Sequence, residues 1–368
     1  MSKSSPVHAC LIVDDPPANA TYWARLQQQA MGFEPRINGN WGANWTNLAS
    51  APLFRLGDVQ AFADIIEEFG VRGKFTFLPC PAGLGRIDRS IRGYTSAALT
   101  DMIAVIRDRI MPQMNITPEC LTHSMAYDPD TEALLPHAES FWLTHLCLTG
   151  QTAALHQYLR HAWQILANVG LTAHGLTVGG MTDVSGIGAG KSLLLGDGRE
   201  VLGQAILAVE AEFKPAQTRS SAPQTPAHQS FLYTGAAPIS AASRDRCCPE
   251  AIFTGPRNEQ VFELHSMGED PLLPVLHGPA AQTATLDAMI APDLAAGSFI
   301  QQIEAGRLLV FTVHCQTLMA LNSGAGLTIL REALRRLRER YGRDLHWHTA
   351  AELCAQFGAP QQPPVVTG

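Results

Sequence analysis

At 368 residues the chain is long enough to bury a substantial core, as one large domain or two ordinary ones. Hydrophobic residues make up 46% and charged ones 16%, against roughly 25% charged in an average soluble domain, which excludes a disordered chain and a charged coiled coil. With 26 basic against 33 acidic residues, a net charge of -7 and no Lys/Arg cluster, the balance argues against a nucleic-acid partner. No run of about 18 apolar residues occurs, and the amino-terminal stretch is too short and weakly basic for a signal peptide. We therefore expect no membrane partner and a cytoplasmic protein. The 8 cysteines form no C-x-x-C pair and no zinc-finger spacing, so they read as buried small hydrophobes.

Short apolar runs rich in β-branched and aromatic residues alternate with longer helical patterns, as βα units of a mostly parallel sheet do. In chain order, residues 7–13 read as a strand, 58–69 as a helix, 74–78 as a strand, 100–111 as a helix and 119–122 as a strand. The alternation continues with a helix at 153–169 and strands at 171–178, 230–233, 260–264 and 307–313. It closes with a helix at 325–341, a strand at 344–347 and a helix at 350–357. In the 325–341 helix Leu327, Leu330, Leu334 and Leu337 form one apolar stripe among solvated arginines. Residues 38–47 are a Gly- and Asn-rich loop carrying Trp41 and Trp45, and 192–257 reads as a surface insertion within a single domain spanning 1–368.

This pattern fits either a (β/α) barrel or an open doubly wound sheet. The polar residues favour a shared rim. Asp14 and Asp15 follow the first strand, His123 the third, His265 the sixth and His314 the seventh, while His346 and His348 flank the end of the last. The sharpest feature is Leu11-Ile12-Val13-Asp14-Asp15-Pro16-Pro17. Adjacent carboxylates leaving a buried strand repel each other and persist where a cation, a proton or strong hydrogen bonds stabilise them, although a helix cap or a turn before proline also uses Asp. In Thr122-His123-Ser124-Met125-Ala126-Tyr127-Asp128, His123 is either a metal ligand, with Tyr127 or Asp128 nearby, or a hydrogen-bonded structural histidine. The apolar run ending in His314 sets a candidate general acid at a strand end.

Two other features weigh less. His145, His156 and His161 have no H-E-x-x-H context and read as surface or half-buried histidines. Ser185-Gly186-Ile187-Gly188-Ala189-Gly190-Lys191-Ser192 copies a phosphate-binding loop except for its opening serine. Gly196-Asp197-Gly198 breaks the helix that such a loop needs, which argues against nucleotide hydrolysis.

The Asp-Asp pair, the His-Ser block and the strand ending in histidine, taken in this order, resemble the polysaccharide deacetylase superfamily of carbohydrate esterases. Gly73-Lys74-Phe75-Thr76-Phe77-Leu78 is similar to its second-strand block, Gly170-Leu171-Thr172-Ala173-His174-Gly175 falls where its third motif would, and His346-Trp347-His348-Thr349 is similar to its closing segment. The likeness spans about residues 7–180 and 258–357. It implies an α/β fold, a distorted (β/α) barrel of about seven or eight strands. It also implies hydrolysis of a carbon–nitrogen bond, typically an N-acetyl group on a sugar. By position, Asp14 is then the base and His314 the acid. Asp15 and His123 become ligands of a divalent metal, zinc first. Tyr127 stands where the family carries a second histidine, so Asp128 is the candidate to complete the site, and a metal-free amide hydrolase stays open. The arginine of the third motif is missing, with His174 nearest its place. We take His174, Trp41 and Trp45 as candidate substrate contacts, the tryptophans either stacking on a sugar or pinning their loop. The expected partner is a carbohydrate or a small amide, turned over by an enzyme or, alternatively, bound by a barrel that has lost catalysis.

Overall fold

The structure is a computed structural model that describes residues 6–16, 54–123, 125–178, 197–213, 229–234, 247–268, 270–320 and 323–358. The first half runs β1 (Val7–Asp14), α1 (Leu56–Phe69), β2 (Gly73–Thr76), a small hairpin β3 (Gly85–Arg86) and β4 (Ser90–Ile91), α2 (Ser96–Val105) and β5 (Met114–Thr117). A second hairpin, β6 (Met125–Asp128) and β7 (Ala133–Ala138), leads into α3 (Glu139–Leu148), α4 (Thr152–Asn168) and β8 (Leu176–Thr177). Then come α5 (Asp197–Phe213), β9 (Gln229–Tyr233), β10 (Glu250–Thr254), β11 (Gln260–Leu264), α6 (Pro279–Met289) and α7 (Ser298–Glu304). The chain finishes with β12 (Leu309–His314), α8 (Cys315–Met319), α9 (Ala325–Tyr341), β13 (Leu345–Trp347) and α10 (Ala350–Phe357).

The fold is mixed α/β, with a mostly parallel arrangement of strands. One sheet has the order β12-β1-β2-β5, with β13 also paired to β1, and every pairing in it is parallel. A second has the order β10-β11-β9-β8, with only β10 antiparallel. Isolated parallel bridges, Ile116 with Ala173 and Glu119 with Thr177, join β5 to the β8 edge. On the other side the Met267 N–H donates to the Val310 carbonyl at 2.8 Å, between the end of β11 and β12.

Period-2 alternation along β1 and β12 sorts their side chains onto two faces. Ala9, Leu11 and Val13 of β1, with Leu309, Phe311 and Val313 of β12, pack outward into the main core under the helices. Cys10, Ile12 and Val310 pack inward with Phe231, Phe262 and Leu264, over a floor made by Ala350, Leu353 and Cys354 of α10. That helix is held by a capping box between Thr349 and Glu352, and its Ala351 N–H reaches the Asn115 side chain at 2.9 Å. The inner face is therefore apolar at one end. At the other, where β1 and β12 terminate in Asp14 and His314, it turns polar.

Three local readings differ from the sequence expectation. The strand expected at 119–122 lies earlier, at Met114–Thr117, because Pro118 cannot donate to a ladder and leaves Glu119 as a single bridge. The helix that Gly196-Asp197-Gly198 was expected to abort instead begins at Asp197 and runs to Phe213, since glycine at a helix start costs little. Its Leu202, Ala205, Ile206 and Val209 are buried in the main core, and β9 and β10 are sheet strands. Much of the span 192–257 expected as a surface insertion is thus core. No described helix is long and apolar enough to cross a membrane.

Candidate active site

The polar end of the inner face is built around a buried ion pair. Lys74, fully buried on β2, donates from Nζ to Asp14 Oδ1 at 2.6 Å, to Thr76 Oγ1 at 2.7 Å and to Thr177 Oγ1 at 2.6 Å. Thr76 Oγ1 also donates to Asp14 Oδ1 at 2.7 Å. A buried lysine costs several kcal/mol of desolvation, and only a carboxylate with further acceptors offsets it, so this lysine fixes where Asp14 points. Both bonds described for Asp14 fall on Oδ1, which leaves Oδ2 to receive a proton. Lys74 was not among the residues expected at the site, where His174 stood nearest the place of the missing third-motif arginine. A lysine between apolar residues in Gly73-Lys74-Phe75 was the available signal.

Asp15, the next residue, turns away from Asp14 through a left-handed backbone with φ 72°. Its Oδ1 lies 3.4 Å from His123 Nε2, and the other ring nitrogen of His123 lies 2.6 Å from Glu119 Oε1. Asp15, Glu119 and His123 offer ligand atoms that all lie within 4.8 Å of one another. His123 is also left-handed, φ 61°. Paired strain of this kind in non-glycine residues persists where surrounding contacts impose it. For His123 that contact is Glu139, whose carboxylate accepts from the N–H groups of Leu121 at 2.8 Å, Thr122 at 3.0 Å and His123 at 2.6 Å, and from the Tyr158 hydroxyl at 2.6 Å. Glu139 starts α3, so the helix sets the loop that carries the imidazole. Gln316, just after β12, donates its side-chain amide to Asp15 Oδ2.

Burial disfavours charge on His123, but the Glu119 and Asp15 carboxylates outweigh it and raise the imidazole to about 10. Burial, with Asp15 and Asp14 nearby, pushes Glu119 up despite His123. In this arrangement the proton on His123 offsets one of the two carboxylate charges. A divalent cation suits the same donor set of two carboxylates and one imidazole, since it would take over that charge.

His314 ends β12 as the register partner of Asp14. Its Nδ1 lies 2.9 Å from Asp270 Oδ2, which also accepts from the His314 N–H at 2.9 Å and the Thr317 hydroxyl at 2.7 Å. The other oxygen of Asp270 accepts from the Leu272 N–H at 2.7 Å, so this buried carboxylate is fixed on both sides. Burial disfavours the imidazolium, yet the Asp270 hydrogen bond and the fields of Asp15, Asp270 and Asp14 raise His314 to about 9. Asp270 sits in irregular backbone and left no periodic signal in the sequence.

The remaining candidates lie elsewhere. Asp128 is not among the gathered ligands: its carboxylate accepts from the Asp130 N–H at 2.9 Å and the Thr131 hydroxyl at 2.7 Å in its own exposed turn. Tyr127 is buried beside His161, and burial pushes its phenol up to about 12, so it stays protonated at neutral pH. The carboxylate that joins His123 and Asp15 is Glu119, placed before His123 rather than after it. His174 lies below the rim residue Thr177, edge-on to Phe231 with ring centres 5.5 Å apart and 3.6 Å from Glu210. His265 is fully buried behind β11, 3.9 Å from Glu250. Trp41, Trp45 and the loop Ser185–Ser192 lie outside the described residues.

A solved structure described as "putative polysaccharide deacetylase from Mycobacterium smegmatis" is similar to this chain at 14% identity, with a TM-score of 0.44, covering 99% of this chain and 98% of that one. No protein-family model matches the chain, and no curated protein matches it. A likeness this distant carries no argument about activity.

Proposed function

We propose that the chain is a hydrolase of carbon–nitrogen amide bonds, acting at the polar end of a distorted barrel whose strands include β1, β2, β5, β8, β9, β11 and β12. The observation that carries this reading is the pairing of Asp14 with His314. Two proton-carrying groups stand side by side, one tied to a lysine and the other to a carboxylate, so their environments push them toward opposite tasks. Asp14 Oδ2 accepts a proton from water as the water oxygen bonds to the amide carbonyl carbon. His314, its Nδ1 proton held by Asp270, gives the Nε2 proton to the nitrogen as the carbon–nitrogen bond breaks, leaving a carboxylic acid and a free amine.

Asp15, Glu119 and His123 would hold a divalent metal, zinc being the first choice for a mixed nitrogen and oxygen set. Such an ion, when bound, polarises a carbonyl and makes water more acidic. Gln316 and the Asp15 N–H, which lies 3.4 Å from Glu119 Oε2, orient the two carboxylates. The substrate class we favour is an N-acetylated sugar. A second reading, a metal-free hydrolase of small amides, is favoured by one feature: a protonated His123 already offsets one of the two charges that Asp15 and Glu119 can carry.

Release of primary amine from N-acetylglucosamine oligomers and from short N-acyl amides, with and without a chelator and with zinc added back, tests the proposal. Chelator-sensitive release restored by zinc supports the metal enzyme, and chelator-insensitive release supports the metal-free one. No release from any compound under either condition contradicts both.

A further inference from the structure

At the opposite end of the same strands lies a cluster the proposed reaction does not use. His8 of β1 and His346 of β13 are register partners in a parallel pair, so their side chains share a face. His348, two residues further on, returns to that face, and its N–H donates to the Ala9 carbonyl at 2.9 Å. The ring centres of His8 and His346 are 5.6 Å apart, and those of His8 and His348 are 5.1 Å apart. His8 Nδ1 and His348 Nε2 approach to 2.9 Å, which requires one of these nitrogens to be bare. Phe357 of α10 packs against both rings from the other side, with ring centres 4.7 and 5.8 Å away.

The neighbouring charges do not compete for this patch. Arg72 is paired with Glu352 Oε1 at 2.8 Å, and Glu352 Oε2 accepts from the Thr349 N–H at 3.0 Å, so cation and carboxylate are both engaged in holding α10. A cavity of about 690 Å³, lined in part by Arg72, His346, His348 and Glu352, opens His346 and His348 to solvent. Core packing gives no reason to gather three imidazoles. The His8–His346 and His8–His348 separations do suggest a ligand, since imidazoles on one tetrahedral ion, at roughly 2.1 Å per metal–nitrogen bond, have ring centres roughly 5 Å apart. The three sets of ring nitrogens do not converge until His346 turns.

We propose that His8, His346 and His348 form a second metal site, for a borderline divalent ion such as zinc, nickel or copper, separate from the Asp15, Glu119 and His123 group. His346, exposed at the lip, completes the set by turning its ring toward the other two. An ion held there ties β13 and α10 to β1, and so fastens the carboxyl-terminal elements onto the first strand.

Equilibrium dialysis against zinc, run on the full chain carrying Asp15→Asn and His123→Ala, isolates this site from the other. The expected result is one zinc per chain and a higher Tm with zinc. Adding His348→Ala should weaken that binding by on the order of 100-fold and abolish the Tm rise. His346→Ala, at the exposed ring, reads the same loss should His348→Ala fail to fold. Absence of zinc from the Asp15→Asn/His123→Ala chain, or binding unaffected by either histidine substitution, would overturn the proposal.

Discussion

Asp14 and His314 are register partners across β1 and β12, so a carboxylate from the start of the chain and an imidazole from near its end stand side by side on one face of the sheet. Each is anchored from behind by a buried group of opposite charge, Lys74 for Asp14 and Asp270 for His314. The proposed chemistry depends on these two anchors as much as on the reacting pair.

Lys74→Met should destabilise the chain by about 3–5 kcal/mol, because it strands the Asp14 charge in the interior. Adding Asp14→Asn should recover part of that loss, since the charge is then gone. Urea unfolding of the two single variants and the double variant measures the coupling, and strictly additive losses would show that the pair does not interact.

Asp270→Asn removes the carboxylate that keeps His314 charged and leaves at most a neutral amide oxygen beside the ring. An acid raised to about 9 keeps the wild-type rate up until the pH passes that value. In the variant the alkaline limb of the pH–rate profile should move down toward the ordinary histidine value of about 6.5. An alkaline limb at the same pH in both proteins would separate His314 from the proton transfer.

The same shift has a sign for stability. A histidine whose folded pKa is raised contributes stability that is complete below its unfolded value of about 6.5 and disappears as the pH rises through about 9. The stability gap between wild type and His314→Gln should therefore narrow from pH 6 to pH 10, and thermal unfolding at those two pH values checks it.

Glu139 holds the His123 loop by accepting three backbone N–H groups and the Tyr158 hydroxyl. Glu139→Gln offers one acceptor oxygen and sets an amide donor against backbone donors, so a loss of about 1–3 kcal/mol is expected. Activity should fall further than the stability change explains, because His123 is released from its left-handed geometry. Full activity at a temperature where the variant is folded would remove Glu139 from the site's support.

Gly73 explains how Lys74 enters the site. A Cβ at this position would lie 1.8 Å from the Leu11 carbonyl oxygen, so β1 and β2 could not keep their pairing. Gly73→Ala should cost more than the roughly 1–3 kcal/mol typical of overpacking, since rigid backbone rather than a side chain blocks it. Thermal unfolding measures the loss.

Much of the frame was readable in advance, because Val7–Asp14 and Leu309–His314 are apolar strands whose period and polar ends survive without tertiary context. The α9 and α10 helices carry their own stripe and cap, and fall where the spacing predicts them. Glu119, Lys74 and Asp270 were hidden for different physical reasons. Glu119 follows Pro118 and looked like the start of a strand. Lys74 sits mid-strand, where alternation alone does not reveal which charge faces inward. Asp270 lies in a loop, and only the three-dimensional fold brings it to His314.

Primary-amine release by Asp14→Asn, compared with wild type on the N-acetylated oligosaccharide or amide that wild type cleaves best, tests the assignment most directly. The substitution keeps the shape of the side chain, so circular dichroism and Tm should show a folded protein, while hydrolysis drops by at least about 100-fold. A folded Asp14→Asn variant that releases amine at the wild-type rate would contradict the role given to Asp14 and the reaction built on it.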